Sequence, residues 1–256
     1  MNLAEKYFQT VKGQVDAVAS SQMAPIETAS SWFAEAMNGG GLVYIFGTGH
    51  SHMLAEELFY RAGALARVVP MLHPPLMLHE SASTSTQAER DRNVVGELLK
   101  QYPMTGGDVL VVASNSGRNA CPIELAMVAK ERSVRTIAVL NSEHSAKWDS
   151  RHPSGKRLGD VVDLVIDNCG VEGDACILLP GSGLSVGATS TVTGCVIMQM
   201  IACRVAEMLD ASGSQLNFIK AAMLTTTSGM RQSLPATSKP THTFKSTLRW
   251  KFQKAF

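Results

Sequence analysis

Two short loops of small polar residues hold the groups best able to do chemistry. The first is Gly47-Thr48-Gly49-His50-Ser51, and the second is Ser114-Asn115-Ser116-Gly117-Arg118-Asn119. Each follows an apolar run and leads into a stretch of helical type. Glycine lets the backbone turn tightly, and the free N–H groups at a helix start attract anions. Hydroxyl and amide side chains beside such donors make a cradle suited to a phosphate. A helix cap needs only one of them, and the second loop offers a run of six small or polar residues. Thr189-Ser190-Thr191 opens a later helical stretch, so Thr189 and Ser190 join the candidate binding residues, and Asn141-Ser142-Glu143-His144-Ser145 follows another apolar run. The first loop lacks the third glycine of the dinucleotide fingerprint GxGxxG, and no Asp or Glu closes the next strand. No GxxxxGK phosphate loop occurs either. No cofactor is expected.

Proton transfer near neutral pH calls for carboxylates and imidazoles. Glu56 and Glu57 are adjacent, so a helix points them about 100° apart and at most one faces a cleft. Glu80 and His79 follow the second apolar run inside a long loop. His52 and Glu56 stand at i, i+4, a spacing that can hold a divalent metal. Only two ligands are evident there and HExxH is absent, so no metal is expected.

Five apolar runs must position these groups: 42–46, 66–71, 109–113, 136–140 and 161–166. They are rich in Val, Ile and Leu without clean alternation, as in strands buried on both faces. Helical stretches at 51–62, 87–101 and 122–131 separate most of them. Strand and helix in this alternation predict an α/β fold with a parallel sheet, right-handed crossovers and helices on both faces. Ligands in such sheets bind beyond the carboxyl ends of the strands, where both loops stand. Ahead of the sheet, Leu3, Tyr7, Val11, Val15 and Val18 form one stripe. A second helix at about 26–37 stops at Asn38-Gly39-Gly40-Gly41. A long helix at about 188–209 closes the regular part.

Two Gly/Ser loops about 67 residues apart at strand ends resemble those of the sugar isomerase (SIS) family. GTGHS is similar to its first loop, ASNSGRN to its phosphate signature S-x-S-G-x-T/S/N, and Asn141-Ser142-Glu143-His144-Ser145 to its third loop. GTGHSHMLAEELFYRAG and PMLHPPLMLHE resemble a bacterial subfamily of single-domain members, in the branch containing sedoheptulose-7-phosphate isomerase. The resemblance covers roughly residues 1–210. It implies a five-stranded, doubly wound parallel sheet with an N-terminal helix pair, phosphorylated sugar or amino-sugar ligands, and a homodimer or tetramer. It further implies that Ser51, Ser114, Ser116 and Asn119 hold the sugar phosphate, with Gly47, Gly49, His50, Asn115 and Gly117 completing the loops. Glu56 and Glu57 lie about one turn earlier than that branch's carboxylate base, counted from Ser51. His52 and Glu56 are similar to a His-xxx-Glu pair of the same branch. The implied activity is aldose–ketose isomerisation through an enediol. The family also contains phosphosugar sensors and an ether lyase, which use the same cradle. The sensors carry a DNA-binding domain ahead of the sugar domain, and only about 40 residues precede the first strand here.

At 256 residues with 45% apolar and 18% charged side chains, the chain is long and apolar enough for a full core, which excludes disorder as its main state. Five Cys without CxxC argue against a disulfide framework or a Cys-rich zinc site. The N-terminus shows no secretory signal, and Gln199 and Arg204 interrupt the best apolar run, so a cytoplasmic protein that does not enter the membrane is expected. The net charge of +1 divides unevenly: 1–210 carries −6, and 211–256 has seven basic residues and no acidic one. That basic, Ser/Thr-rich tail is expected to be irregular. No recognition motif accompanies its charge, so nucleic acid is not an expected partner.

Overall fold

The computed structural model describes residues 1–213. Expectations for the basic tail beyond Gly213 fall outside these residues. Helices α1 (Leu3–Ser21) and α2 (Met23–Asn38) lead into β1 (Val43–Gly47). A 3-10 turn (Gly49–His52) and the short α3 (Met53–Leu58) follow, then β2 (Val68–Met71). Next come α4 (Ala82–Ala88), α5 (Val94–Gln101), β3 (Val109–Ala113), α6 (Ala120–Glu131) and β4 (Arg135–Leu140). After α7 (Ser142–Lys147) and α8 (Leu158–Val161) come β5 (Leu164–Asp167), the hairpin β6 (Ala175–Leu178) and β7 (Ser185–Ala188), and α9 (Ser190–Ala211).

Strands β1 to β5 form one parallel sheet in the order β2-β1-β3-β4-β5. Side chains alternate across a strand, and the core divides accordingly. Val43, Ile45, Val109 and Val111 face the layer containing Phe33, Ile197 and Ile201 of α2 and α9. Tyr44, Phe46, Leu110 and Val112 face the layer containing Leu98, Ile123 and Leu125 of α5 and α6. Both faces of β1 and β3 are therefore buried, which is why their sequences do not alternate. From β1 the chain builds β2 on one side and then crosses to β3 on the other. The switch point lies between β1 and β3, where ligands of open α/β sheets bind. Gly47 pairs with Ala113 in the register, so the two loops emerge side by side.

Local competition moved several element boundaries from their expected places. The helix expected over 51–62 is a 3-10 turn plus six residues of α3. The one expected over 87–101 is broken between α4 and α5, where the Asp91 carboxylate accepts from the Asn93 N–H and favours a turn. The strand expected over 161–166 starts at Leu164 instead, because the Asp160 carboxylate accepts from the Arg157 N–H and caps α8. The β6–β7 hairpin was not evident in the sequence. Helix α9 is long and apolar enough to cross a membrane, with a hydropathy of 1.5 despite Arg204. In the fold it packs on α1, α2 and α3, and Arg204 pairs with Glu27 and Glu207.

Candidate functional site

The first loop is shaped by Gly47. A Cβ there would lie 2.4 Å from the Ser51 carbonyl carbon, so the turn closes only around glycine. The Ser51 N–H donates to the Thr48 carbonyl at 3.1 Å. In the second loop Gly117 has φ +59°, and a Cβ would approach the Ser145 hydroxyl at 2.9 Å. The Gly117 N–H donates to Ser114 Oγ at 3.3 Å, its carbonyl accepts from the Leu158 N–H, and Asn119 leads into α6.

Between the loops lies a small cleft at the carboxyl end of the sheet. Ser51 faces it from the first loop, Ser114 and Asn115 from the second, Asn168 from the end of β5, and Ser190 and Thr191 from the start of α9. A larger cleft of about 580 Å³ lies at the opposite end of the sheet, around Trp32, Gly40, Gly107 and Arg135. Topology and polar chemistry favour the smaller one.

The candidate binding residues thus fall into groups. Ser51, Ser114, Asn115 and Ser190 line one cleft. Gly47, Gly49 and Gly117 shape its walls, while His50 is exposed. Ser116 is partly buried within the second loop. Asn119 is buried, and its Oδ1 accepts from Arg151 Nη1 at 2.7 Å instead of capping α6. Asn115 Oδ1 accepts from Asn168 Nδ2 at 2.8 Å.

The start of α9 is already served by a carboxylate. Asp174 Oδ1 accepts from the N–H groups of Thr189 and Ser190 at 2.9 and 2.7 Å, and Oδ2 from the Ser190 hydroxyl at 2.8 Å. A fixed negative charge on this helix end disfavours a second anion there. The first turn of α6, behind the second loop, holds no acidic residue. Thr189 itself is fully buried.

Among the acid–base candidates, the helical phase separates the two adjacent glutamates. Glu57 turns towards α9, where Oε1 accepts from Gln199 Nε2 at 2.8 Å and Oε2 pairs with Arg61. Glu56 turns the other way, with Oε2 3.7 Å from Nε2 of the buried His52. His52 closes the first loop through Nδ1 and the Gly49 carbonyl. Its ring stands 6.3 Å from that of His79, which lies 3.9 Å from the Glu80 carboxylate. His52, Glu56, His79 and Glu80 make one titratable patch beside the first loop. Of the i, i+4 pair, His52 is fixed by its loop contact, while the Glu56 side chain is half exposed.

Three residues with evident roles were missed in the sequence. Asn168 sits just past a strand end, and a correct end for β5 would have exposed it. Asp174 has a left-handed φ of 69° in the turn before β6 and no motif around it. Arg151 reaches the second loop from a segment 32 positions further along the chain than Asn119. Its guanidinium is pushed down from its ordinary value, first by burial and then by Arg118 and Arg90 nearby.

The sheet, its switch-point loops and the helix pair define an α/β protein of sugar isomerase architecture. The SIS domain model matches residues 6–141, and the chain belongs to that family. It is 43% identical to a UPF0309 protein of Listeria innocua over 72% of this chain and 74% of that one. It is 39% identical to a UPF0309 protein of Geobacillus kaustophilus over 82% of this chain and 84% of that one. A phosphoheptose isomerase from Francisella tularensis matches in structure with a TM-score of 0.52 at 16% identity, covering 81% of this chain and all of that one. A phosphoheptose isomerase from Neisseria gonorrhoeae matches with the same TM-score and identity, covering 80% of this chain and all of that one. At such identities the structural likeness concerns the fold.

Proposed function

We propose that the protein binds a phosphorylated sugar or amino sugar and interconverts its aldose and ketose forms through an enediol. The observation that carries this reading is the hydroxyl- and amide-lined cleft between two loops at the switch point. The phosphate sits on the 114–119 loop, where Ser114, Ser116 and backbone N–H groups donate to it and α6 adds its positive end. Ser51 and Asn115 meet the sugar. A carboxylate from the His52–Glu56 patch takes the proton from carbon 2 of the aldose as its aldehyde oxygen is protonated, giving the enediol. Returning the proton to carbon 1, with loss of the hydroxyl proton at carbon 2, completes the ketose. Glu56 is the assigned base, and His79 with Glu80 supplies protons to the oxygens. The phosphoheptose isomerases similar in fold act on phosphosugars by name, which supports the substrate class.

The test is a thermal-shift screen of sugar phosphates, followed by NMR of proton exchange at carbon 2 with each stabilising compound. Exchange with solvent or transfer to carbon 1 is expected, and stabilisation by free sugars as strong as by their phosphates contradicts the reading. Ser116→Ala is expected to weaken phosphosugar binding by about 1–2 kcal/mol, the scale of one hydrogen bond to a charged group. Isothermal titration checks this, and unchanged affinity removes Ser116 from the site.

The protein acts as a homodimer or tetramer in this reading. Of the α1 surface, Leu3 of the stripe and Phe8 outside it are exposed, as are Leu178, Leu184 and Val186 of the hairpin docked beside α1. Tyr7 joins these two surfaces through a 2.8 Å hydrogen bond to the Ala188 carbonyl. Exposed apolar side chains on both elements fit burial against a second copy. Light scattering at micromolar concentration is expected to give at least twice the chain mass; a monomer contradicts it.

A further inference from the structure

We propose that Glu124 and His152 are positioning residues for the second loop: their bond clamps the segment over 148–157 across that loop and so aims the N–H groups of Arg118 and Asn119 at the bound phosphate. The proposal rests on the phosphosugar reading above and concerns how the site of that reading is held.

Residues 148–157 join α7 to α8 without helix or strand, and Leu158 begins α8. The Leu158 N–H donates to the Gly117 carbonyl and the Arg151 N–H to the Arg118 carbonyl, both at 2.8 Å. Arg118 Nε donates in turn to the Asp149 carbonyl at 2.9 Å, and Arg151 Nη1 to Asn119 Oδ1 at 2.7 Å. In a trans peptide the C=O and N–H groups point in opposite directions. Holding the Gly117 and Arg118 carbonyls against this segment therefore turns the N–H groups of Arg118 and Asn119 away from it. Among the described residues neither N–H has a protein acceptor, so both can serve an anion. A flip of either peptide unit would set a carbonyl oxygen where a donor is needed.

His152 fastens this segment. Its side chain is buried, while its neighbours Arg151 and Pro153 are exposed. Nδ1 accepts from the Ser154 N–H at 3.2 Å and lies 2.7 Å from the Ser154 hydroxyl. That leaves the ring proton on Nε2, which stands 2.7 Å from the Glu124 carboxylate. The His152 N–H donates to Ser150 Oγ at 3.0 Å, and the Ser150 hydroxyl to the Lys156 carbonyl at 2.6 Å, which closes the turn around the imidazole. Glu124 projects from α6, the helix that starts at the second loop. Among the described residues, the His152–Glu124 contact is the one hydrogen bond between this segment and the body of that helix. A buried imidazole bonded at both nitrogens has one orientation, and a carboxylate acceptor makes the stronger, charge-assisted kind of bond. Supporting contacts of this kind hold a binding loop in its working geometry.

The test uses the full chain with Glu124→Ala, His152→Ala, their double variant and Glu124→Gln. Hydrogen–deuterium exchange, read by mass spectrometry on the peptide covering 114–121, reports the loop without any ligand. Both Ala variants are expected to exchange there about tenfold or more faster than the native chain, the scale of one hydrogen bond to a charged group. The double variant is expected to stay within about twofold of either single one, because the two side chains act through one bond. Glu124→Gln keeps an acceptor for Nε2 and is expected to stay within about threefold of the native chain. Isothermal titration with fructose 6-phosphate, or with the sugar phosphate that stabilises the native chain most, is expected to show affinity falling in the same order. Carbon-2 proton exchange at saturation is expected to stay within about threefold, since positioning the phosphate acts on binding. Glu124 is partly exposed, so its Ala variant carries the test if the His152 variant does not fold. Unchanged loop exchange in Glu124→Ala, fully additive single effects, or a loosened loop with native affinity each overturn the proposal and leave the phosphosugar reading standing. If no sugar phosphate binds the native chain, the phosphosugar reading itself has failed, whatever the loop exchange shows.

Discussion

Replacing Glu56 with Gln will reduce proton exchange at carbon 2 of the bound sugar phosphate by about 100-fold or more, the scale of removing a general base. Phosphosugar affinity will stay close to that of the native protein, because the proposed phosphate seat lies on the other loop. Gln keeps the shape of the side chain and removes its basicity, so the loss reports proton transfer rather than packing. The matched control is Glu57→Gln. Its carboxylate accepts from Gln199 and pairs with Arg61 against α9, so the substitution will lower stability by about 1 kcal/mol, the net value of such contacts, and leave exchange within about threefold. NMR exchange rates and denaturant melts measured on both variants separate the roles. The reverse pattern, with exchange lost in the Glu57 variant alone, assigns the base to Glu57 and overturns the orientation argument.

Asp174→Ala is expected to have the largest effect on stability of any single change near the cleft, about 2–3 kcal/mol. One carboxylate accepts from two N–H groups and one hydroxyl at the start of the 22-residue α9. Removing it leaves those partly buried donors without their acceptor and takes a negative charge from the positive end of the helix. The same change frees Ser190 to meet an anion, so phosphate or sulfate will protect the variant against urea more than it protects the native protein. Paired urea melts with and without phosphate check both parts. A variant as stable as the native chain shows that α9 is held by its packing alone and that Asp174 is incidental.

These two results depend on contacts of different sequence range, which decides what could be read without a structure. The parallel sheet was legible because β1, β3 and β4 are buried on both faces, and double burial leaves a run such as Val109-Leu110-Val111-Val112 in the sequence. The loops were legible because tight turns and anion cradles need Gly, Ser and Asn within a few consecutive positions. Backbone constraints of this kind are local, so they stay in one stretch of sequence. Boundaries were less legible wherever a single carboxylate diverted the chain, as Asp160 does ahead of β5 and Asp91 does between α4 and α5. There one hydrogen bond outweighs weak intrinsic preferences.

Tertiary structure alone decided which ionisable groups share a neighbourhood. The sequence sets Glu56 and Glu57 about 100° apart on a helix; only the packing of α9 tells which of the two meets Gln199 and Arg61. Asp174 reaches the start of α9 because the hairpin folds back between them, and no local pattern marks a residue that caps a helix sixteen positions away. Arg118 and Arg151 are separately ordinary surface cations. Arg151 reaches Asn119 only because the segment after α7 returns across the second loop. Local sequence determined where the backbone turns and where it is buried. The pairing of charges across the cleft was set by long-range packing, since electrostatic interactions depend on distance in space and not on separation along the chain.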